Sequence, residues 1–443
     1  MSLSPLPRRL ARTAARLPVV GGALALALAA TMLPATPAQA LSYRIDKRFF
    51  GVHDTNPSSA SWPALSAGSL RLWDAGVRWA DIETAPGVFD FARLDDIVRA
   101  AKLHNVELTL VLGQTPSFYG ASTSAMPDMT AWTSYVRAVV TRYSPAVWGY
   151  RGIAAYQVWN EANVTSYWTG TPIQMAQLTR AAYGTVKTVD PGALVIGPAF
   201  AARIAEQTRG IGFFYYIRLD GVPIWRSLDA IALNLYPLAR YPDGSLGTPE
   251  KSMSILASTR YQMQLRGVPA SKPIWNTEIN YGLATGGSGA SNAMTADRQA
   301  AYVLRTYLLN AANGIRRVDW YAWDRPDLGN TKLSSPGATS DALSKTLAGK
   351  AFELAQAWLV GGKLAGARAT AKPCAKDRAG TYTCVITYPG GVRRVYWNPT
   401  RTVAVTTAKT ATFMVGVYGK RTAIKGGSRK TVDFHPLMVR SKS

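Results

Sequence analysis

Eight short apolar runs recur between Phe50 and Trp323, and most are followed by a longer stretch with apolar residues at helical spacing. The runs are Phe50–His53, Ser69–Trp73, Glu107–Gly113, Ala154–Asn160, Leu194–Pro198, Ala230–Tyr236, Pro273–Glu278 and Val318–Trp323. Between them, Phe91–His104 carries Leu94, Ile97, Val98 and Ala101 on one helical face. Trp132–Tyr143, Ile173–Val189 and Ala296–Asn313 have the same spacing, with Asp190-Pro191 and Asn313-Gly314 as stops. Such alternation specifies β/α units on a parallel sheet. Eight units predict a (β/α)8 TIM barrel, for which about 250 residues or more suffice. A last helix over Asp341–Val360 would end it at Gly361-Gly362. An open doubly wound sheet is the alternative, but no Gly-rich phosphate loop follows the first run. Gly286-Gly287-Ser288-Gly289, after the seventh, reads as a surface loop.

Beyond Gly362 the runs become short and rich in Val, Thr and Tyr: Tyr382–Tyr388, Arg393–Trp397, Val403–Thr406, Thr412–Tyr418 and Val432–Arg440. Gly and Pro punctuate them, which predicts a small antiparallel β domain over 362–443 after a barrel over 41–361. Trp397 is expected in its core. The chain has two cysteines, Cys374 and Cys384, and a disulfide between them would close a small loop near the start of this domain.

The first 40 residues read as a secretory signal: Arg8, Arg9, Arg12 and Arg16, then apolar Val19–Met32, then Ala38-Gln39-Ala40. Secretion, or association with a bacterial cell envelope, follows as an expectation, and it agrees with a disulfide. The export route and the oligomeric state stay open. Two cysteines and three scattered histidines (His53, His104, His435) provide no metal cluster, and no cofactor is expected. The formal net charge is +24, unevenly spread. Residues 362–443 hold sixteen Lys and Arg against Asp377 and Asp433, a net +14. A basic domain on a nearly balanced body predicts an anionic partner. For an exported chain an anionic envelope polymer is expected rather than nucleic acid.

Two runs end on a carboxylate. Ala154-Ala-Tyr-Gln-Val-Trp-Asn-Glu161 closes the fourth, and Lys272-Pro-Ile-Trp-Asn-Thr-Glu278 closes the seventh. A carboxylate at the end of a buried strand is costly unless it is paired, hydrogen-bonded or used. In a closed barrel both strand ends open on one mouth. One carboxyl could then protonate a leaving oxygen while the other attacks an anomeric carbon.

Trp159-Asn160-Glu161, Glu278, Tyr236 and Trp323 resemble the retaining glycoside hydrolases of clan A. Leu70-Arg71-Leu72-Trp73, Val77-Arg78-Trp79, Ile82-Glu83 and Gly87-Val88-Phe89-Asp90-Phe91 look most like family 39 and its relatives. The resemblance covers about residues 50 to 325, and a C-terminal β domain is a common appendage in such enzymes. It implies Glu161 as acid/base and Glu278 as nucleophile, roughly 5 Å apart and forming a covalent glycosyl-enzyme. It implies that Asn160 binds the sugar 2-hydroxyl, that Tyr236 orients Glu278, that Arg71 keeps Glu278 ionised, and that Trp323 floors the sugar ring. One departure stands out. The clan often has His two residues before the strand-six Tyr, where this chain has Asn234.

A carbohydrate substrate is therefore expected, with Asn234, Trp168, His53 and Trp73 as further binding candidates. Trp168 would be a stacking platform, while a satisfied structural pair is the alternative for His53 and Asp54. Glu83 is expected as a structural hydrogen-bond partner. Gln114, Phe118 and Tyr119 are expected to wall the cleft, and Asp324 with Arg325 to form a surface ion pair. Two alternatives to hydrolysis remain: a transglycosylase using the same residues, and a non-catalytic carbohydrate-binding wall protein.

Overall fold

The computed structural model describes residues 44–281, 294–325, 332–334, 345–365 and 372–442. The predicted signal, the Gly286–Gly289 loop and the expected helix start at Asp341 lie outside the described residues.

All eight runs become strands: β1 Phe50–His53, β2 Ser69–Leu72, β3 Glu107–Leu112, β4 Ala155–Val158, β5 Leu194–Ile196, β6 Ile231–Asn234, β7 Ile274–Ile279 and β8 Val318–Trp320. They form one parallel sheet in the order β5-β4-β3-β2-β1-β8-β7-β6, and Phe200–Ala201 adds beyond β6. The sheet closes on itself. Ile196 bridges Ala230 in parallel, and Asp229 N–H donates to Val195 O at 2.7 Å. The result is a (β/α)8 barrel.

The predicted helices follow as α1 Ala92–Leu103, α2 Met129–Tyr143, α3 Pro172–Val189, α6 Ala296–Ala312 and α7 Leu347–Leu359. Two more, α4 Ala205–Tyr216 and α5 Pro249–Gln264, were not anticipated. Starts are capped as expected of Asp and Thr: Asp128 accepts from Ala131 N–H, and Thr171 forms a capping box with Gln174.

Strand parity divides the side chains. Leu70, Leu72, Val318 and Trp320 join the main core between sheet and helices. Ser69, Arg71, Thr109, Gln157 and Asp319 take the alternate positions, which face the barrel interior. Low inside, Arg317 pairs with Glu107 at 2.6 Å and lies over the Trp275 ring. Asp319 is fully buried, and neither of its oxygens has a hydrogen-bond partner among the described residues. Burial pushes its carboxyl up to about 7, while Arg317 and Arg71 pull it down. Gly51 is the residue that makes room for it: a Cβ there would fall 1.8 Å from Asp319 Oδ1.

The C-terminal strands are β9 Lys363–Ala365, β10 Cys374–Lys376, β11 Tyr382–Tyr388, β12 Gly391–Trp397, β13 Val403–Thr406, β14 Ala411–Val415, β15 Arg421–Ala423, β16 Arg429–Val432 and β17 Leu437–Ser441. The main antiparallel sheet runs β9-β11-β12-β17-β14-β15, with β10 also on β11, and β13 pairs with β16. The run expected as one strand over Val432–Arg440 is two strands. Between them Asp433 accepts the His435 N–H, and Pro436 interrupts the ladder. Cys374 and Cys384 stand opposite each other on β10 and β11 and form a disulfide.

This β domain packs into the barrel's own core. Leu364, Ile386, Val395, Trp397 and Met438 belong to the same buried cluster as Tyr307, Phe352 and Trp358. Trp397, expected only in the core of its own domain, also donates its indole N–H to Glu250 Oε1 of α5 at 3.0 Å. Arg305 of α6, 1 % exposed, donates to both oxygens of that carboxylate. His435 bridges Asp433 and Asp297, tying the domain to the start of α6.

Candidate active site

Because the barrel strands are parallel, their C-terminal ends share one mouth, and both Glu161 and Glu278 are there. Glu278 lies near the end of β7, with its side chain 13 % exposed. Its two oxygens have different donors. Tyr236 O–H donates to Oε1 at 3.0 Å, and Arg71 Nη1 donates to Oε2 at 3.1 Å. Glu161 is three residues past β4 and 5 % exposed. Its Oε1 accepts from Asn234 Nδ2 at 3.2 Å and faces Arg203 Nη2 at 3.6 Å, while Oε2 accepts no hydrogen bond among the described residues.

Arg71 organises the floor of the site. It is fully buried on β2 and spends its fork on three acceptors: Gln157 Oε1 through Nε (2.8 Å), Asn160 Oδ1 through Nη2 (2.8 Å) and Glu278 through Nη1. His53 Nε2 lies 3.2 Å from Arg71 Nη1 and 3.0 Å from Thr277 O. Burial, and then the Arg71 cation, hold His53 well below its ordinary range, so the ring is neutral. Asn234 joins the two halves: Thr277 Oγ1 donates to its Oδ1 at 2.9 Å, and its amide donates to Glu161.

The backbone before the first carboxylate is unusual. Trp159 and Glu161 both adopt the left-handed region, at φ 57° and 40°, which non-glycine residues rarely enter. Packing holds it there. Trp159 Nε1 donates to Tyr167 O at 2.7 Å, and its ring meets Trp168 edge-on at 5.0 Å. Gly113 leaves room for that ring, since a Cβ there would fall 2.8 Å from it.

Arg71 pulls the Glu278 carboxyl down, in the expected direction, but it does not prevail. Burial pushes Glu278 up to about 7, and Glu161 and Asp74 add to the rise against Arg71 and the Tyr236 hydroxyl. Asp54, buried beside Asp324 and Asp74, is likewise pushed up to about 7 by burial.

Several sequence expectations change in position. His53 and Asn234, expected as sugar-binding candidates, and Arg71, expected beside the nucleophile, are all fully buried beneath the carboxylates. Arg71 and Asn234 hold Glu278, Asn160 and Glu161, while His53 meets Arg71 and Thr277 O. Trp168 presents no open face. It is 5 % exposed, packed on Trp159, with its N–H on Thr171 O. Trp323 is 4 % exposed and Trp73 9 %, the latter edge-on to Tyr167. Arg325 pairs with Asp74 at 3.0 Å instead of Asp324, which contacts Ser334 and Lys332. Glu83 accepts from Trp79 Nε1, Gly87 N–H and Tyr119 O–H, so it braces the turn after β2. Tyr119 is spent on that brace, whereas Phe118 is 38 % exposed. Arg203 and Tyr167 were missed. Both lie on connections whose position only the tertiary fold sets. Gln157 was also missed, although a polar residue at an inward position of an apolar strand signals it.

Among the described residues no group of three or more His, Cys, Asp or Glu is arranged to hold a metal ion. No helix there is long and apolar enough to cross a membrane.

No protein-family model matches the chain, and no curated protein matches it in sequence. Solved structures do share its fold. A family 39 glycoside hydrolase from Bacteroides cellulosilyticus WH2 superposes with a TM-score of 0.64 at 18% identity, covering 90% of this chain and 82% of that one. A glucosidase from Croceicoccus marinus gives 0.61 at 13% identity, over 92% and 98%. A monomeric β-xylosidase from Caulobacter crescentus CB15 gives 0.61 at 14% identity, over 91% and 98%. The shared fold spans both the barrel and the C-terminal β domain.

Proposed function

We propose that the chain is a secreted retaining glycosidase that hydrolyses O-glycosidic bonds of a poly- or oligosaccharide by double displacement. The observation that carries this reading is the unequal treatment of two carboxyls at one barrel mouth. Glu278 has a donor fixed on each oxygen, Arg71 and Tyr236, which aims it and favours the anion against the burial that pushes its carboxyl up to about 7. Glu161 has one oxygen held by Asn234, and the other accepts no hydrogen bond among the described residues, so it is available to a leaving-group oxygen. The family 39 resemblance and the fold of the superposed hydrolases point the same way.

In the first step Glu278 attacks the anomeric carbon as the bond to the leaving oxygen breaks, and Glu161 gives that oxygen its proton. In the second, Glu161 takes a proton from water, whose oxygen displaces Glu278 from the glycosyl ester. Both carboxyls return to their starting states. Asn160 Oδ1 accepts from Arg71 Nη2, which leaves its amide N–H groups for the sugar 2-hydroxyl. A sugar acceptor in place of water would make the same residues a transglycosylase. The test is incubation with plant, microbial and cell-wall polysaccharides, with products identified by mass spectrometry and the first-formed anomer by NMR. Retained configuration in a hydrolysed product is expected. Binding across the panel without turnover would instead favour a carbohydrate-binding protein.

The basic domain supports a second contact, with an anionic envelope polymer. Lys409, Lys425 and Lys442 are exposed and form no ion pair among the described residues. Their loops adjoin: Gly427 N–H donates to Ala408 O, and Lys442 N–H to Thr410 O. Because the domain shares the barrel core, charge removal tests this better than deletion. The triple Lys→Gln variant should leave a polyphosphate or polygalacturonate column at lower salt than the wild type, with unchanged melting. Equal elution would end the idea.

A further inference from the structure

Arg203 is a cleft cation whose guanidinium makes an ion pair but no hydrogen bond among the described residues. It follows Phe200–Ala201, the short segment paired with β6, and its backbone is pinned where its N–H donates to Gln207 Oε1 at 2.7 Å. The guanidinium lies 5.5 Å from the centre of the Tyr236 ring, with its side chain one-third exposed. Among the described residues its five N–H donors make no hydrogen bond, and Nε is buried without a partner. The neighbouring cations are engaged: Arg71 with Glu278, and Arg325 with Asp74. Among the described residues Arg203 has one ion-pair partner, Glu161, at 3.6 Å.

That neighbour cannot serve as a counter-ion when the site is ready to act. If Glu161 donates a proton to the leaving oxygen, it is neutral at that moment, and Arg203 is then a partly buried cation without an anion, which is costly. A substrate that brings its own anion removes the cost.

We propose that Arg203 determines specificity by taking a sugar-borne oxyanion, the carboxylate of a uronic acid unit, on the leaving-group side of the scissile bond. The substrate class is then an acidic glycan. This rests on the glycosidase reading, because that reading gives Glu161 its proton and its side of the bond. A guanidinium fork matches a carboxylate in two parallel hydrogen bonds. A phosphate ester would fit the same donors, so the test includes it.

The experiment measures binding and turnover separately. Glu278→Gln protein is titrated by calorimetry with oligosaccharides from glucuronoxylan, polygalacturonate and alginate. Each is paired with the same oligosaccharide after its carboxyls are reduced to alcohols, and a phosphate-bearing wall glycan is included. At least one acidic member should bind roughly ten- to a hundred-fold tighter than its reduced partner. Arg203→Met in that background should bring the two together, and Arg203→Lys should restore part of the gap. Among the described residues Arg203 makes no side-chain hydrogen bond, so melting should barely change. Equal binding of acidic and reduced forms, or a preference that survives Arg203→Met, overturns the inference. Tighter binding of the phosphate glycan overturns the uronate assignment. Wild-type hydrolysis of the same pairs is followed in parallel. Turnover without charge preference would overturn the role of Arg203 and leave the glycosidase reading standing. Charge-selective binding with no turnover of any pair would do the reverse.

Discussion

Glu278→Gln should lower kcat by about 10⁴-fold or more on any glycan the wild type cleaves, and it should also lower melting, because the fully buried Arg71 loses its counter-charge. The amide has nearly the carboxylate's shape and can still accept from Tyr236, but it cannot form the glycosyl ester. Glu161→Gln should cost less, about 10²- to 10⁴-fold, because general acid help is worth that much. Its loss should shrink on aryl glycosides whose leaving group needs no proton, whereas the Glu278→Gln loss should not. Turnover of a natural glycan by the Glu278→Gln protein at the wild-type rate would remove the nucleophile assignment.

Arg71→Met should damage both fold and chemistry. It strips a hydrogen bond from the buried acceptors of Gln157 and Asn160 and the counter-charge from Glu278. Breaking a buried charge network in this way typically costs about 3–5 kcal/mol, readable as a lower urea midpoint. The sign of the pH effect follows from the guanidinium's pull. Arg71 favours the ionised form of Glu278, so its loss raises a carboxyl that burial already holds at about 7. The acid limb of kcat/KM should therefore move to higher pH. Arg71→Lys keeps a charge without the three-way fork, so it should melt between the two and show a smaller shift. An Arg71→Met protein as stable as wild type, with an unmoved acid limb, would show that this residue does not hold the site.

The barrel was legible because its strands are buried on both faces and end abruptly, so each appears as a short apolar run with a sharp stop. The two missed helices are blurred for physical reasons. On α4, Phe213 and Tyr216 are apolar yet exposed, and on α5, Ser252 and Thr259 are polar yet buried. Pro436 inside the last run was a readable break that the run's apolar content masked. The carboxylates could be found because strand ends are fixed by periodicity. The balance of forces on Glu278 could not, since Arg71 is visible in the sequence and the depth of burial is not. Arg203 and Tyr167 reach the cleft from connections of irregular length, where spacing carries no direction.

The indole of Trp397 on the Glu250 carboxylate has a consequence for how this protein can be altered. Appended β domains invite exchange between enzymes, as parts swapped on a common chassis. Here the seam would run through a buried carboxylate that α5, α6 and β12 all complete, and Arg305 would lose a neighbour on one side of its partner. A transplanted barrel would have to carry this domain with it, or replace the Glu250 carboxylate together with its Arg305 and Trp397 donors.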